Sequence, residues 1–165
     1  MVDSALEQLN ASTAEKLYGV SETNKCAPDP LQIIAHCTTG NGRLRIIPIG
    51  KFAITLNRPS DGPLVEGVRV YVDIKKLQHY PTINLWFTND PLFNPVSMKD
   101  TLIEEIFKAG RNILSFERVM VKVQHKQKWR SVVCPSCGET VPDNLLQGGV
   151  CAGCGPTRYY ETTRG

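Results

Sequence analysis

Two cysteine pairs near the C-terminus restrict this chain more than any other feature. Cys134-Pro-Ser-Cys137-Gly and Cys151-Ala-Gly-Cys154-Gly form C-x2-C, thirteen residues, C-x2-C. Two such knuckles supply four thiolates, the tetrahedral ligand set of a structural Zn²⁺. Gly138 and Gly155 follow the second cysteine of each pair, where a residue without Cβ lets the backbone turn its amides toward sulfur. Iron fits the same four-sulfur cage. Two redox dithiols are the other alternative, but neither pair sits in the strand–helix context of a thioredoxin-like motif. Zinc is the expected ion. A closed four-cysteine site has no open position for water, so it is expected to fold the tail and not to catalyse.

Four of the six cysteines belong to these pairs. That usage indicates a reducing compartment and no disulfide framework, so the expected location is the cytoplasm. The first ten residues, MVDSALEQLN, contain acidic side chains and no apolar h-region, unlike a signal peptide. No segment approaches the ~18 apolar residues that span a bilayer. The 165-residue chain is long enough for one domain with a small appendage. Its net charge of +3 is too mild to argue for nucleic acid.

The densest stretch upstream is 24–58. Pro28-Asp29-Pro30 reads as a helix start, with Asp29 as N-cap and Pro30 at the first helical position. Leu31, Ile34 and Ala35 give the apolar face and Gly40 the stop. Cys26 then lies just ahead of the helix and Cys37 at its far end. A thiol at a helix N-terminus tends toward a lowered pKa, as nucleophile or ligand. On the residues alone, the favoured reading is that both cysteines are small buried hydrophobes.

Within this stretch and beyond it, six short motifs follow in order. They are C-A-x-D-x-x-Q at 26–32, C-T-x-G-x-G at 37–42, G-K at 50–51, N-R at 57–58, G-V-R-V at 67–70 and the four-cysteine tail. This series resembles the FmdE family of formylmethanofuran dehydrogenase proteins. The family pattern begins with a His-x-His-x-Cys-Pro-Gly-type segment on an N-terminal helix, whereas this sequence has no histidine before His36 and no cysteine before Cys26. The resemblance implies a protein linked to the molybdenum or tungsten formylmethanofuran dehydrogenase of methanogenesis, with a treble-clef-like finger at its end. Spacing alone does not separate a treble clef from a zinc ribbon. On this reading Cys26, Asp29, Gln32 and Cys37 line a core pocket to which Lys51 adds a positive charge, a thiolate there being stabilised by the helix and the cation. The chain is then a zinc-binding accessory or subunit-like protein of one-carbon metabolism, with formylmethanofuran dehydrogenase subunits as partners. A rival reading makes Cys26 the nucleophile or ligand of a second, catalytic core metal. Its weakness is the ligand count, because a catalytic zinc commonly takes three protein ligands. His36 is a poor substitute, since helical neighbours diverge by ~100°.

The remaining elements are read from periodicity. A helix is expected over 4–18, with Ser4 and Glu7 as a capping box. Strands are expected over 43–49, 52–57, 67–74 and 111–124, the last carrying Val119, Val121 and Val123 in alternation. The strand at 67–74 is expected to pair antiparallel with 52–57. A helix over 98–109, capped by Ser97 and Asp100, offers Leu102, Ile103, Ile106 and Phe107 for packing on the sheet. The fold class is α+β: an antiparallel sheet core with packed helices over 1–125, then a basic junction and finger over 126–165. The junction HKQKWR at 125–130, with Arg158, Tyr159 and Tyr160, makes a nucleic-acid-binding regulator the third reading. Sheet edges and the Trp86-Phe87 pair suggest a homodimer.

Overall fold

The computed structural model describes residues 1–124 and 127–161, so His125 and Lys126 of the basic junction lie outside the described residues. The chain divides into two compact units, Met1–Gln124 and His125–Gly165. The first unit is α+β. Helix α1 (Val2–Leu9) is followed by β1 (Tyr18–Ser21), α2 (Pro28–Ile33), β2 (Leu44–Ile46), β3 (Ala53–Asn57) and β4 (Leu64–Val72). Three helices come next, α3 (Ile74–Leu77), α4 (Pro81–Phe87) and α5 (Lys99–Ala109), and then β5 (Leu114–Lys122).

The five strands form one sheet in the order β2-β1-β3-β4-β5. Three pairings are antiparallel, including the expected β3–β4 ladder with Ile54 opposite Val70 and Leu56 opposite Val68. The fourth, β1 with β2, is parallel, which makes the sheet mixed. Helix α2 and the loop after it supply the connection that a parallel pair requires. The sheet coils enough for Arg45 Nη1 on one edge strand to donate to the Lys122 carbonyl at the end of the other, 3.1 Å away.

One face of the sheet carries the core. Ile54, Leu56, Val68 and Val70 are buried there with Val2, Ala5 and Leu6 of α1 and with Leu31, Ala35 and Cys37 of the α2 region. On the opposite face Val20, Thr55, Arg69 and Glu117 lie side by side across four strands. The Arg69 guanidinium donates to both carboxylate oxygens of Glu22 and, at 2.8 Å, to Glu117. It also stacks over the Tyr71 ring at 5.0 Å. A smaller cluster, Leu77, Ile83 and Ala109, joins α3, α4 and α5. Glu105 of α5 caps α4 by accepting from the Thr82 and Ile83 amides at 2.9 and 3.0 Å and from the Thr82 hydroxyl.

Several boundaries differ from expectation, each for a tertiary reason. The first helix ends at Leu9, where Asn10 turns left-handed at φ 50°, and Tyr18 opens a strand instead of closing a helix. Arg58 stabilises the early stop by donating to the Leu9 and Asn10 carbonyls at 3.1 and 2.8 Å. Helix α2 starts earlier than expected, with Ala27 as N-cap and Pro28 in the first turn, so Asp29 is not the cap. It stops before His36, whose φ of 52° ends the turn well ahead of Gly40. Strand β4 begins at Leu64 because its first residues pair with β5, and it ends at Val72. Asp73 instead caps α3 through the Lys75 amide at 3.0 Å. The irregular-looking segment after it holds both α3 and α4. Met98, not Ser97, precedes α5. The expected apolar stripe of α5 does not pack on the sheet: Ile103, Ile106 and Phe107 are exposed, Phe107 by 82%. Leu102 meets the small cluster instead. Trp86 is exposed, while Phe87 packs edge-on against Phe52 at 5.9 Å.

Two stability tests follow from the sheet. A Cβ at Gly67 would lie 2.9 Å from the Leu56 carbonyl oxygen and from Val121 Cγ2. Gly67→Ala is therefore expected to cost about 1–3 kcal/mol in a urea titration. Arg69→Met strands the half-buried Glu22 and is expected to cost about 1–3 kcal/mol at pH 7. Hydrogen bonding to Arg69 holds Glu22 below its ordinary value of 4.5. A carboxyl lowered in the fold stabilises above its unfolded pKa, and that gain is lost as pH falls through the lower folded value. The stability difference between wild type and Arg69→Met should thus narrow below pH 4.5.

Candidate metal centre

The second unit is built from two hairpins. Strands β6 (Ser131–Val133) and β7 (Thr140–Pro142) pair antiparallel with Val132 opposite Val141. The chain between them is the first knuckle. Gly138 N donates to the Cys134 carbonyl at 2.9 Å, and Cys134 N donates to the Glu139 carbonyl at 2.8 Å. Gly138 sits at φ 74°, a conformation that glycine adopts without a Cβ penalty.

Strands β8 (Leu146–Gln147) and β9 (Val150–Cys151) form the second hairpin. Its two turn residues, Gly148 and Gly149, both have positive φ, as a tight two-residue turn demands. Strand β9 delivers Cys151 into the second knuckle, where the Cys154 and Gly155 amides donate to the Cys151 carbonyl at 2.9 and 3.0 Å. Among the described residues no helix follows Cys154. Arg158 folds back on this knuckle, with Nε donating to the Gly153 carbonyl at 2.8 Å and the guanidinium over the Tyr160 ring. Tyr159 remains exposed.

The hairpins bring all four cysteine sulfurs within 4.8 Å of one another. Cys137 Sγ and Cys151 Sγ are 3.8 Å apart, and all four thiols are free. Zinc–sulfur bonds of about 2.3 Å in a tetrahedron require sulfur–sulfur edges of roughly 3.8 Å, so the donor set fits one such ion. The Cys151 amide points at Cys134 Sγ, 3.4 Å away. That N–H, followed by the Cys137 amide, lowers the Cys134 thiol to about 6. Burial and then the Cys154 and Cys134 sulfurs push the Cys151 thiol up. One thiolate thus forms readily and opposes the next, a repulsion that a cation inside the cage removes. Among the described residues this is the one group of three or more His, Cys, Asp or Glu side chains placed to share an ion.

The core candidates are arranged differently. Cys26, Asp29 and Lys51 are exposed, and Gln32 is half-buried. Cys37 is fully buried, its Sγ donating to the Leu17 carbonyl at 3.2 Å. Burial pushes its thiol up to about 11, opposite to the shift that activates a nucleophile. A Cβ at Gly19 would lie 3.3 Å from Cys37 Cβ and 3.2 Å from Leu31 Cδ2, so this glycine leaves room for the thiol and the helix. Cys37 therefore packs as a small hydrophobe. The loop around it is tied by side chains that motif reading passed over. Asn41 Oδ1 accepts from the Thr38 and Arg43 amides, and Asn41 Nδ2 and Arg43 Nη2 both donate to the His36 carbonyl. The only sequence signal for this is an Asn between two glycines after a Thr pair, which marks a turn.

Comparison with known proteins extends the picture. A family model described as "FmdE, Molybdenum formylmethanofuran dehydrogenase operon" matches residues 1–122 and so ends with the last residue of β5. A similar solved structure is the crystal structure at 1.90 Å of a tungsten formylmethanofuran dehydrogenase FmdE-like protein from Syntrophus aciditrophicus. It is 33% identical, with a TM-score of 0.80 over 98% of this chain and 82% of that one. A probable S-adenosyl-L-methionine-binding protein of Archaeoglobus fulgidus is 29% identical over 96% of this chain. The match spans 46% of that relative, just under half its length. With the family match covering nearly all of the first unit and the structural likeness running on through the cysteine hairpins, the chain belongs to the FmdE family.

Proposed function

We propose that this chain is a zinc-binding accessory or subunit-like protein of formylmethanofuran dehydrogenase, acting in the one-carbon chemistry of methanogenesis. The observation that carries this reading is the four-sulfur cage joined to an FmdE core. In it Cys134, Cys137, Cys151 and Cys154 hold one structural Zn²⁺, and residues 1–125 and 126–165 work as core and docking finger. Four thiolates leave no position for substrate on the ion, and a reducing compartment, the cytoplasm, suits them. Among the described residues no helix is long and apolar enough to cross a membrane.

Charge favours a protein partner for the finger over nucleic acid. From residue 126 onward the sequence sets Lys126, Lys128, Arg130, Arg158 and Arg164 against Glu139, Asp143 and Glu161. A zinc tetrathiolate adds two further negative charges, which removes the excess of positive charge that phosphate binding needs. For the core we propose a homodimer. Trp86, Ile103, Ile106 and Phe107 are all exposed, an apolar surface of the kind that a partner copy covers.

Metal analysis of the purified full chain should find one zinc per chain, lost in Cys134→Ser and retained in Cys26→Ser. Iron in its place would overturn the zinc assignment, and a second ion removed by Cys26→Ser would establish the catalytic alternative. Light scattering should give twice the 18.3 kDa chain mass, reduced to a single chain by Phe107→Glu; a monomeric wild type would refute the dimer.

A further inference from the structure

The loop after α1 and the loop after α2 border an open surface depression of about 520 Å³, lined by Thr13, Ala14, Glu15, Lys16, His36 and Arg43. That volume falls within the range of small-molecule sites. None of the core candidates read from sequence lines it.

Its electrostatics are one-sided. Glu15 is the only carboxylate in the lining, and its charge is already engaged. Oε1 accepts from the Ser12 amide at 2.8 Å and Oε2 from Arg58 Nε at 3.0 Å. Those two partners, the Ser12 amide first, hold the Glu15 carboxyl below its ordinary range, so it stays an occupied anion. Among the described residues no carboxylate forms an ion pair with Lys16 or Arg43. Lys16 Nζ lies 5.9 Å from the centre of the Tyr18 ring, a contact that leaves its charge in place. Lys16 and Arg43 therefore leave uncompensated positive charge at the depression, and His36 adds imidazole nitrogens able to donate.

The site is also rigidly held. His36 has a left-handed backbone, φ 52°, which is uncommon for a residue with a Cβ. It is kept there by Asn41 Nδ2 and Arg43 Nη2, which donate to its carbonyl at 2.8 and 2.7 Å. Asn41 is fixed in turn by the Thr38 hydroxyl, which accepts from its amide at 3.1 Å. One amino group of Arg43 is thus anchored to the fold, so the guanidinium is oriented before any ligand arrives. Strained backbone beside a preoriented cation is an arrangement that recurs at binding sites.

We propose that this depression binds the oxyanion group of a small molecule, a phosphate or a carboxylate, through Lys16, His36 and Arg43. Arg43 offers the planar donor fork that both groups accept, and Lys16 a mobile second charge. Two cationic side chains and one imidazole donor on a small open patch suit a single terminal anion and not an extended polyanion. The proposal goes beyond the metal reading and does not depend on it, since every residue involved lies in the first unit.

The test is an amide NMR titration of the full chain with sodium phosphate, and separately with sodium acetate, each at constant ionic strength against sodium chloride. Saturable shifts confined to residues 13–16 and 36–43 are expected with at least one anion, and the comparison tells which group is preferred. Lys16→Gln removes a side chain that makes no hydrogen bond within the fold among the described residues, and it should weaken that binding roughly tenfold. Arg43→Gln should abolish it, with Lys16→Gln as the control that leaves the loop intact. Shifts that never saturate with either anion, shifts spread evenly over the surface lysines and arginines, or equal affinity in Lys16→Gln and wild type would each overturn the proposal.

Discussion

Strands β3 and β4 meet two opposite demands at once. One face of the pair must be apolar, because Ile54, Leu56, Val68 and Val70 pack beneath α1 and the α2 region. The other face carries Thr55 and Arg69, and Arg69 is neutralised by carboxylates from the β1 end and from β5. A cation enclosed in a sheet is costly unless its donors are matched, and here two carboxylates and an aromatic face satisfy it. This pair therefore sets where β1 and β5 run. Gly67 lets β3, β4 and β5 approach closely at the point where β4 passes from β5 alone to β3 as well. Both α1 and the α2 loop are positioned on that frame, the first by the Arg58 donors at its C-terminal end and the second by Cys37 packed under Gly19.

The second unit solves a different problem with a different device. Among its described residues only Cys134 and Cys151 are buried. So small a piece of chain cannot withdraw enough apolar surface from water to hold two short hairpins together. Four converging sulfurs able to hold a metal ion stand where a core would be, and the Cys151 amide that points at Cys134 Sγ directs where negative charge accumulates. Among the described residues the two cysteines of the first unit belong to no such cluster. Cys37 lies in an apolar setting that keeps its thiol protonated, and Cys26 stands exposed at the approach to α2. Identical side chains meet three settings in one chain, separated by burial and by the number of neighbouring thiols.

Pattern reading recovered the elements whose alternation or capping is local. The valines of β4 and β5, the pairing of β3 with β4, and Gly110 at the end of α5 were all legible. It misplaced those ends that distant groups decide. Arg58 ends α1 from almost fifty residues away, and β5 draws β4 forward to Leu64. The parallel β1–β2 pair was invisible because Tyr18–Ser21 is too short to show a period. The stripe on α5 had helical spacing, yet spacing cannot say whether a sheet or an open surface faces it.

By itself the sequence determined which four thiols could hold a metal ion, because residue type and knuckle spacing are covalent properties of the chain, and the motif order was enough to place it among FmdE proteins. It also determined the α+β class, since helix and strand periods arise from neighbouring residues. Only the tertiary structure decided that the four sulfurs converge, that Cys37 is buried in the core, and that Lys16, His36 and Arg43 share one depression. The physical reason is range. Periodicity and ligation motifs act over a few residues, whereas burial, ion pairing and strand order are set by groups that the chain brings together only when it folds.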